Sequence, residues 1–435
     1  MTAREAELPA AAPSDGAPSL RHGGYLRRYW GLALAALCGP GLIVMLADTD
    51  AGSVITAAQS GARWGYGMIL PQLLLVPVLY VVQEMTVRLG ILTRRGHGAL
   101  IRECFGPWWA LLSAGTLFLS SVGALITEFA AVAGVGQMLG ISRWVTVPVA
   151  TAFLIGLSLT GSYRRAERIG IAIGLAELAF IPAMLMSHPS LSAVVHGAVT
   201  PPVGNSGYLY LLAANVGAVI MPWMVFYQQG AVIDKGLGAG NLRGERRATA
   251  VGAVVTQVIM IAVGVILAAT VGRSGGGGTL SSVGGISAAL RPYLGATGAE
   301  VLFGAGFLGA ALVAALVSSL AGAWGLSEIF GWKHTLNERP SRRTAGFYIA
   351  YAIAHVAGAI LVLAAVDLVS LAVDAEVMNA LLLPIVLGFL LALERRALPE
   401  QARMRGARKW TAWGLCLVTM AFGLYMIPSL LGLTG

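Results

Sequence analysis

The chain has 435 residues, of which 57% are hydrophobic and 11% are charged, with a mean hydropathy of +0.77. Soluble domains carry about 25% charged residues, so this composition excludes a soluble globular protein and indicates a polytopic membrane protein. The net charge of +9 at pH 7 is explained by the loops between membrane spans, and nucleic-acid binding is a poor explanation for it.

Windows of about 20 apolar residues predict eleven membrane spans, of which the first and the sixth are interrupted. Residues 1–24, rich in Ala, Pro and polar residues, are expected to form a disordered cytoplasmic tail before them. The first span is expected to be an uncleaved signal anchor. The predicted spans are 31–60, 65–91, 108–138, 143–162, 168–187, 208–232, 248–272, 297–330, 345–365, 368–393 and 410–432.

The distribution of positive charge tests this topology, because short cytoplasmic loops collect Lys and Arg. With the N-terminus in the cytoplasm and the C-terminus outside, 25 of the 29 Lys and Arg residues lie on the cytoplasmic side. The exceptions are Arg63, Arg143, Arg273 and Arg291. We therefore predict that the protein lies in the lipid bilayer of the cell (plasma) membrane with its N-terminus in the cytoplasm and its C-terminus outside.

The first span contains two carboxylates, Asp48 and Asp50, in the middle of an apolar run. A charge at membrane depth costs at least ~2.5 kcal/mol and marks an ion, proton or substrate site. In a broken helix, freed carbonyls and half-helix ends point into a midplane cavity. Asp50 is therefore the expected anionic ligand of a cation, with the Ser53 hydroxyl at i+3 and the Ala47 carbonyl at i−3. For Asp48, a proton or hydrogen-bonding role and a purely structural role both stay open.

The sixth span is interrupted at Pro222, which removes a backbone donor and frees a carbonyl. Nearby, Ala218 would offer a carbonyl oxygen and Met221 a thioether sulfur. Carboxylate, hydroxyl and carbonyl oxygens are hard ligands, whereas a thioether favours transition metals. Together the two breaks predict a site for a divalent transition-metal ion. A methionine that only packs and a proline that only kinks the helix are the competing interpretations.

Other polar residues lie inside predicted spans. Asn215 and Gln228 are on the second broken helix and are candidates for lining the pathway, although helix-to-helix hydrogen bonding is the commoner role of uncharged residues. Glu84 is expected to pair with Arg88, one turn away on the same helix. No role is predicted for Glu177. The others are Gln229, Glu376 and Asn379.

Six short motifs follow one another along the chain. They are Gly39-Pro40-Gly41, Asp50-Ala51-Gly52-Ser53, Gly61-Ala62 with Gly65-Tyr66, Arg88-Leu89-Gly90-Ile91, Gly217-Ala218 with Met221-Pro222, and Leu381-Leu382-Leu383-Pro384. Taken together, they resemble the NRAMP divalent-metal transporters over nearly the whole chain. The resemblance implies an all-α polytopic membrane protein with a LeuT-type fold and eleven transmembrane helices. Helices 1–5 (residues 25–200) and 6–10 (201–396) would be inverted repeats, with helix 11 (397–435) appended.

The chain also departs from the family's pattern. The family's first-helix Asp-Pro-Gly-Asn is Asp-Ala-Gly-Ser here, and Trp223 replaces the His of its sixth-helix Met-Pro-His. Of the acidic pair that the family links to proton movement, Glu128 remains and Leu125 replaces the Asp; Tyr351 and His355 lie where the family has ninth-span arginines. Proton coupling is therefore predicted to be weak or absent. These departures resemble those of NRAMP-related side branches, some of which carry Mg2+. The pathway or coupling candidates are Asp48, Glu128, Trp223, Asn215 and Gln228.

The predicted function is import of Mn2+ or Fe2+ by a secondary transporter that works by alternating access. One alternative is an NRAMP-related Mg2+ transporter, in which a widened cavity admits a partly hydrated ion. A less favoured one is an organic-solute symporter of the same fold, because Asp50 would repel a substrate carboxylate. An enzyme is not expected. A membrane enzyme would need a nucleophile with a base or a histidine-rich metal centre, and the six histidines lie almost entirely in loops. The metal ion is the substrate; no cofactor, nucleic acid or obligate protein partner is predicted, and protons are an optional partner.

Overall fold

The computed structural model describes residues 47–159, 175–272, 280, 282–332 and 341–430, and helices are its regular elements. The tail expected at 1–24, the first part of the first predicted span and the start of the fifth lie outside the described residues. Short 3-10 helices lie at Gly65–Met68, Leu175–Ala179, Ala239–Asn241 and Glu400–Ala402. The α-helices are α1 (Ala51–Trp64), α2 (Ile69–Thr93), α3 (His97–Phe105), α4 (Pro107–Met138), α5 (Arg143–Leu159), α6 (Phe180–Met186), α7 (Leu191–Val199), α8 (Ser206–Val219), α9 (Pro222–Asp234), α10 (Leu242–Thr270), α11 (Gly284–Phe330), α12 (Ala345–Ala364), α13 (Leu368–Arg396) and α14 (Gly406–Leu430).

Membrane-spanning helices dominate this part of the chain. Within the described residues, eight helical stretches are long and apolar enough to cross a membrane. The number is nine if the stretch ending in α6 and the following α7, bent by 115° relative to each other, form one span. The prediction of an all-helical, multi-pass membrane protein is confirmed, whereas the count of eleven spans is not.

The first of these stretches holds 43 residues and contains parts of two predicted spans. A straight helix of that length would be about 65 Å long, twice the hydrocarbon core of a bilayer. Instead, α1 ends at Gly65, whose φ of 57° breaks the helix. Gly65 and Ile69 line one small cavity with Gly264 of α10, while Glu84 of α2 pairs with Arg246 near the start of α10. The chain therefore turns at Gly65, and α2 runs back along α10.

The 47-residue helix α11 also contains a bend. Gly295 has a φ of 72° inside it, a left-handed conformation that glycine adopts without steric cost. The part that is apolar enough to span a membrane is Phe303–Phe330, which lies within the predicted span 297–330.

Close helix packing near the centre depends on glycine, as is usual in membrane proteins. A methyl group on Gly217 of α8 would overlap the backbone carbonyl oxygen of Glu376 in α13, and one on Gly61 of α1 would overlap the backbone of Gly264 in α10. These contacts bring α1 and α8, the helices that adjoin the two predicted breaks, tightly against α10 and α13. The repeat boundaries near residues 200 and 396 stay predictions.

Candidate metal-binding site

The first helix break is organised by an aspartate. α1 begins at Ala51, and Asp50 is its N-cap, with the Asp50 Oδ1 atom accepting a hydrogen bond from the Ser53 backbone N–H at 2.8 Å. An anionic acceptor is favoured here because the first N–H groups of a helix lack partners and its N-terminus carries partial positive charge. The Asp50 Oδ2 atom is buried and has no hydrogen-bond partner among the described residues. One oxygen thus holds the helix end, and the other is left for a ligand.

The second break separates α8 from α9. Between them Ile220 leaves the helical conformation with a ψ of 76°, Met221 is extended with a ψ of 134°, and Pro222 begins α9. Proline suits this position because the first helical residue needs no N–H donor. The carbonyl oxygen of Ala218, in the last turn of α8, accepts a hydrogen bond from the Ser53 hydroxyl at 3.1 Å. The two breaks therefore meet, and Asp50, Ser53 and Ala218 lie together.

Met221 is fully buried, and its sulfur is engaged within its own segment. The Trp223 indole N–H donates a hydrogen bond to the Met221 sulfur at 3.1 Å. The hydrogen bond occupies one of the two lone pairs of the sulfur, so the indole competes with a metal ion for this ligand. Trp223 therefore contacts the proposed thioether ligand directly. Its position two residues from Met221 did not by itself predict this contact.

The chain on the other side of the first break contributes Ala47 and Asp48. Both are buried in a short helical segment that ends before Asp50. Neither carboxylate oxygen of Asp48 has a hydrogen-bond partner among the described residues. Asp50 and Glu376 are its charged neighbours, so Asp48 belongs to a group of acids and has no cationic partner in the described part of the chain.

Glu128 of α4 reaches the same group. It is fully buried, its Oε1 atom accepts a hydrogen bond from the Thr127 hydroxyl at 3.3 Å, and its Oε2 atom has no partner among the described residues. Asp50 and Glu376 are its charged neighbours. Glu128 therefore lies close enough to the break to interact electrostatically with Asp50.

Glu376 of α13 is the site residue that sequence reasoning left without a role. Its Oε2 atom accepts a hydrogen bond from Asn379 Nδ2 at 3.0 Å, and Asn379 Oδ1 accepts one from the Ser120 hydroxyl of α4 at 2.8 Å. Its Oε1 atom is buried without a partner among the described residues and lies against Gly52, where a methyl group would overlap it. Gly52 is thus required by the approach of this carboxylate. The signal that could have found Glu376 is the one used for Asp50, a mid-span acid with no base near it on its helix.

We refer to Asp48, Asp50, Glu128 and Glu376 as the acidic cluster. Among the described residues, no Lys, Arg or His forms an ion pair with any of the four. Nor do three His, Cys, Asp or Glu side chains of the described ranges converge in the geometry of a metal centre. A metal ion here would therefore bind a mixed set of carboxylate, hydroxyl, carbonyl and thioether groups.

The two pathway candidates on the second broken helix differ. Asn215 donates to the Ser60 hydroxyl at 2.8 Å and to the Leu211 carbonyl at 2.6 Å, and accepts from Gln72 at 2.6 Å. It therefore ties α1, α2 and α8 together. The amide of Gln228 in α9 is buried, with neither atom hydrogen-bonded in the described part of the chain. Gln228 is thus the better placed of the two to meet a passing ion.

The part of α12 where the family has arginines contains histidine and aromatic side chains. His355 Nδ1 lies 3.0 Å from the Tyr351 carbonyl oxygen, and its ring is 6.0 Å from that of Phe129 in α4. Gly358, one turn further along α12, packs against Leu125. Leu125, which replaces the family's acidic residue, therefore lies at a close contact between α4 and α12.

Glu84 pairs with Arg88 as predicted, at 3.4 Å, but within a larger network at one end of the bundle. Arg246 and Arg408 also contact Glu84 Oε1, at 2.7 and 2.5 Å. The Arg88 guanidinium, itself buried, contacts Glu394 at 3.0 Å. This ion-pair network joins α2, α10, α13 and α14, and lies apart from the acidic cluster.

The architecture can be compared with solved structures. A crystal structure of the Eremococcus coleocola manganese transporter, in complex with an aromatic bis-isothiourea substituted compound, matches 95% of this chain and 89% of that chain with a TM-score of 0.72 and 19% identity. Transporters of the LeuT-type fold that carry organic solutes also match, with TM-scores of 0.53 to 0.62. The fold is therefore that of the LeuT-type transporters, as predicted.

The family follows from the sequence. The profile described as "Natural resistance-associated macrophage protein-like" (Nramp) matches residues 41–429, and the chain belongs to this family. The divalent metal cation transporter MntH of Acidiphilium cryptum is 24% identical over 413 residues, covering 91% of this chain and 90% of its own. The MntH of Verminephrobacter eiseniae is 28% identical over 213 residues, about half (47%) of either chain. The prediction of a transporter rather than an enzyme is confirmed.

Proposed function

We propose that this protein imports divalent transition-metal ions, Mn2+ or Fe2+, by alternating access. The observation that carries the proposal is the meeting of the two breaks, where the free Asp50 oxygen lies beside the Ser53 hydroxyl and the Ala218 carbonyl. These groups supply the oxygen ligands that a divalent ion needs. The names of the relatives, MntH and a manganese transporter, support the same class of substrate.

Binding follows from these contacts. An entering ion replaces the Ser53 hydrogen bond to Ala218, so that hydroxyl and carbonyl oxygens both turn to the metal. Asp50 binds through its free oxygen while its other oxygen keeps the end of α1 in place. The Met221 sulfur becomes fully available once the Trp223 indole swings away from it. The carbonyl of Ala47, which precedes the first break, completes the proposed set of metal ligands.

Charge supports a cation as the substrate. The acidic cluster gathers four carboxyl groups at membrane depth without an ion-paired base among the described residues. Buried charges are costly unless they are paired, protonated or bound to metal. A divalent ion neutralises half of this charge in one binding event, twice as much as a monovalent ion.

Mg2+ is the second candidate substrate, and two observations favour it. Glu376 brings a further carboxylate oxygen to the break, and hard oxygen ligands suit Mg2+. The Met221 sulfur, the ligand that would favour a transition metal, is hydrogen-bonded to Trp223. An organic-solute symporter is disfavoured, because Asp50 occupies the half-helix N-terminus that would otherwise bind a substrate carboxylate.

Weak or absent proton coupling remains our proposal. Glu128 lies beside Asp50 and Glu376, but the next turn of α4 presents Leu125 packed on Gly358. A relay that leaves the cluster along α4 and α12 therefore meets apolar packing. Transport would follow the metal gradient and the membrane potential.

We further propose that the protein lies in the cell membrane with its N-terminus in the cytoplasm and its C-terminus outside. The ion-pair network supports this orientation, because Arg88, Arg246 and Arg408 come from three loops or helix ends that were each assigned to the cytoplasm and meet at one end of the bundle. Positive charge is retained on that side.

Uptake of Mn2+ into proteoliposomes tests the proposed function, with Mg2+ as competitor. We expect saturable Mn2+ uptake that Asp50→Ala abolishes, since no hydroxyl or carbonyl replaces its charge at a divalent ion. Asp234→Ala, which removes an exposed aspartate at the end of α9, is the matched control. Wild-type uptake by Asp50→Ala would refute the site. Full competition by Mg2+ at equal concentration would favour the second candidate.

A further inference from the structure

The segment that joins α13 to α14 is strongly basic. Residues 395–409, which we refer to as the basic segment, hold six Lys or Arg residues and one acid, Glu400. Arg408 contacts Glu84 within the ion-pair network. The other five form no ion pair with an acid among the described residues: Arg395, Arg396, Arg403, Arg405 and Lys409. The basic segment therefore keeps an excess of positive charge.

Two of these side chains are held in place by aromatic rings. Arg395 and Arg396, both exposed, are the last residues of α13. The Arg395 guanidinium carbon is 5.8 Å from the centre of the Trp413 ring in α14. That of Arg396 is 4.8 Å from the centre of the Phe105 ring at the end of α3, and Arg396 also donates a hydrogen bond to the Cys104 carbonyl at 3.3 Å. An aromatic ring positions a guanidinium group without neutralising it, so the remaining N–H donors stay available for an anion.

Retention of positive charge in the cytoplasm explains where basic residues occur, but other arginines at this end of the bundle are paired with acids. Arg88 and Arg246 contact Glu84, and Arg95 contacts Glu103. Each of these pairs neutralises charge within the chain. The unpaired arginines of the basic segment instead keep their charge for an anionic partner.

Tryptophan side chains place this surface at the edge of the membrane. The Phe105 ring beside Arg396 is 5.7 Å from the ring of Phe389 in α13, and the Phe389 ring is 6.0 Å from that of Trp109 in α4. Trp109 is 53% exposed, and Trp410 at the start of α14 is 70% exposed. Exposed tryptophans are typical of the headgroup level of a bilayer. A continuous aromatic surface therefore leads from the Arg396 guanidinium toward the acyl chains.

This combination of groups fits one class of partner. Arginine binds phosphate oxygens through paired N–H donors, and clusters of about four to eight basic residues at the cytoplasmic end of a membrane-spanning helix attract anionic headgroups. Below the headgroup level, the exposed side chains of Leu112 in α4 and Leu417 in α14 are apolar and suit acyl chains. A free phosphate ion would use the arginines alone, whereas a phospholipid uses the arginines, the tryptophans and the leucines.

We propose that Arg395 and Arg396, with the aromatic rings beside them, bind the phosphate group of an anionic phospholipid of the phosphatidylglycerol type. The acyl chains of this lipid lie along Trp109 and Trp410. The bound lipid covers positive charge that the chain leaves unpaired, and it links α13 to the end of α3 and the start of α14. The lipid site is independent of the transported ion, because it shares no residue with the acidic cluster.

Native mass spectrometry of the purified full-length protein in detergent tests this proposal. Dioleoyl-phosphatidylglycerol and dioleoyl-phosphatidylcholine, which has the same acyl chains and no net charge, are titrated separately. We expect tighter binding of phosphatidylglycerol. Arg395→Gln/Arg396→Gln should weaken that binding about tenfold or more, because two basic side chains next to the headgroup are lost. Phosphatidylcholine binding should stay unchanged.

The matched control is Arg243→Gln/Arg247→Gln, which removes two exposed arginines near the start of α10, at the same end of the bundle. It should bind phosphatidylglycerol like the wild type. Arg395→Lys/Arg396→Lys keeps the charge but loses the planar donors. It should give an intermediate affinity, and it provides the test if the glutamine variant does not fold.

Three results would overturn the proposal. Equal affinity of the wild type for the two lipids would show that the phosphate charge is not recognised. Equal losses in Arg395→Gln/Arg396→Gln and in the control would show that only the overall charge of this side matters. Displacement of phosphatidylglycerol by millimolar inorganic phosphate would show a site for free anions and not for a lipid.

Discussion

Glu376→Gln should weaken metal binding and at the same time stabilise the metal-free protein. The substitution keeps the size of the side chain, so the hydrogen bond from Asn379 can be retained by the glutamine oxygen. What is lost is one negative charge against Gly52, at the point where α1 restarts. The two effects have opposite signs because the same charge attracts the ion and repels the other acids of the cluster.

The size of each effect can be worked from the contacts. A divalent ion about 4 Å from a carboxylate gains up to about 8 kcal/mol at an effective dielectric constant of 20. Most of this gain is offset by removing ion and carboxylate from water. We expect a net loss of about 1.4 to 2.8 kcal/mol, a ten- to hundredfold weaker affinity. Relief of repulsion should raise the stability of the metal-free protein by about 1 kcal/mol.

Two measurements on the same preparations check the prediction. Isothermal titration with Mn2+ and with Mg2+ gives the affinities, and thermal unfolding in chelator gives the stability without metal. Glu300→Gln, on the exposed Arg291 pair, should change neither. The loss should be larger for Mg2+ than for Mn2+, because Mn2+ retains the sulfur ligand.

Wild-type affinity for both ions in Glu376→Gln would refute the reasoning, because a carboxylate aimed at the break would then not meet the ion. A metal-free protein that becomes less stable would contradict the second half, and would mean that Glu376 is held by a hydrogen bond that glutamine cannot make.

Three further predictions concern other groups. Met221→Ala should weaken Mn2+ or Cd2+ binding about tenfold and leave Mg2+ nearly unchanged, because sulfur is a poor ligand for hard ions; calorimetric titration measures this. Burial lowers the pKa of His97 to about 4, although its hydrogen bond with Gln229 acts in the opposite direction. The folded state therefore holds neutral His97, so its contribution to stability is complete above the unfolded pKa of about 6.5 and is lost as pH falls toward 4, by about 3 kcal/mol; thermal unfolding against pH measures this. Metal uptake should bring little acidification of proteoliposomes that contain a pH-sensitive dye, because Glu128 has no acidic partner at the next turn.

Each of these has its own control. Met224→Ala removes a neighbouring buried methionine and should leave the ratio of Mn2+ to Mg2+ affinity unchanged; equal losses for both ions in Met221→Ala would mean that Met221 only packs. His97→Asn should flatten the unfolding profile between pH 6.5 and 4, and an unaltered profile would contradict the assignment to His97. Robust metal-dependent acidification that disappears in Glu128→Gln would show that one acid suffices for coupling.

The sequence predicted the two breaks because each is local. Asp50 and Pro222 interrupt apolar runs, and a charge or a proline in mid-span has a known cost. Ser53 and Ala218, 165 residues apart, were expected to lie near each other because both breaks point to one cavity, but the hydrogen bond between them was not predicted. The pair of Glu84 and Arg88 was likewise local, one helical turn apart.

Contacts made by side chains of distant helices could not be predicted in this way. Glu376 is a single acid in a long apolar helix, and only the packing of α13 on Gly52 brings it to the break. The second and third partners of Glu84 come from α10 and α14, far along the chain. The hydrogen bond from Trp223 to Met221 depends on the extended backbone between α8 and α9 and on side-chain rotamers, which neighbouring residues alone do not fix.

The hydrogen bond between Ser53 and Ala218 has a consequence for turnover. A carrier that delivers its cargo has to return without it, and an unoccupied cavity with exposed dipoles would stall in that step. Here the Ser53 hydroxyl donates to the Ala218 carbonyl, so the protein can satisfy both groups internally after the cargo has left. The protein can therefore carry out net transport of its cargo and is not restricted to exchanging one ion for another across the bilayer.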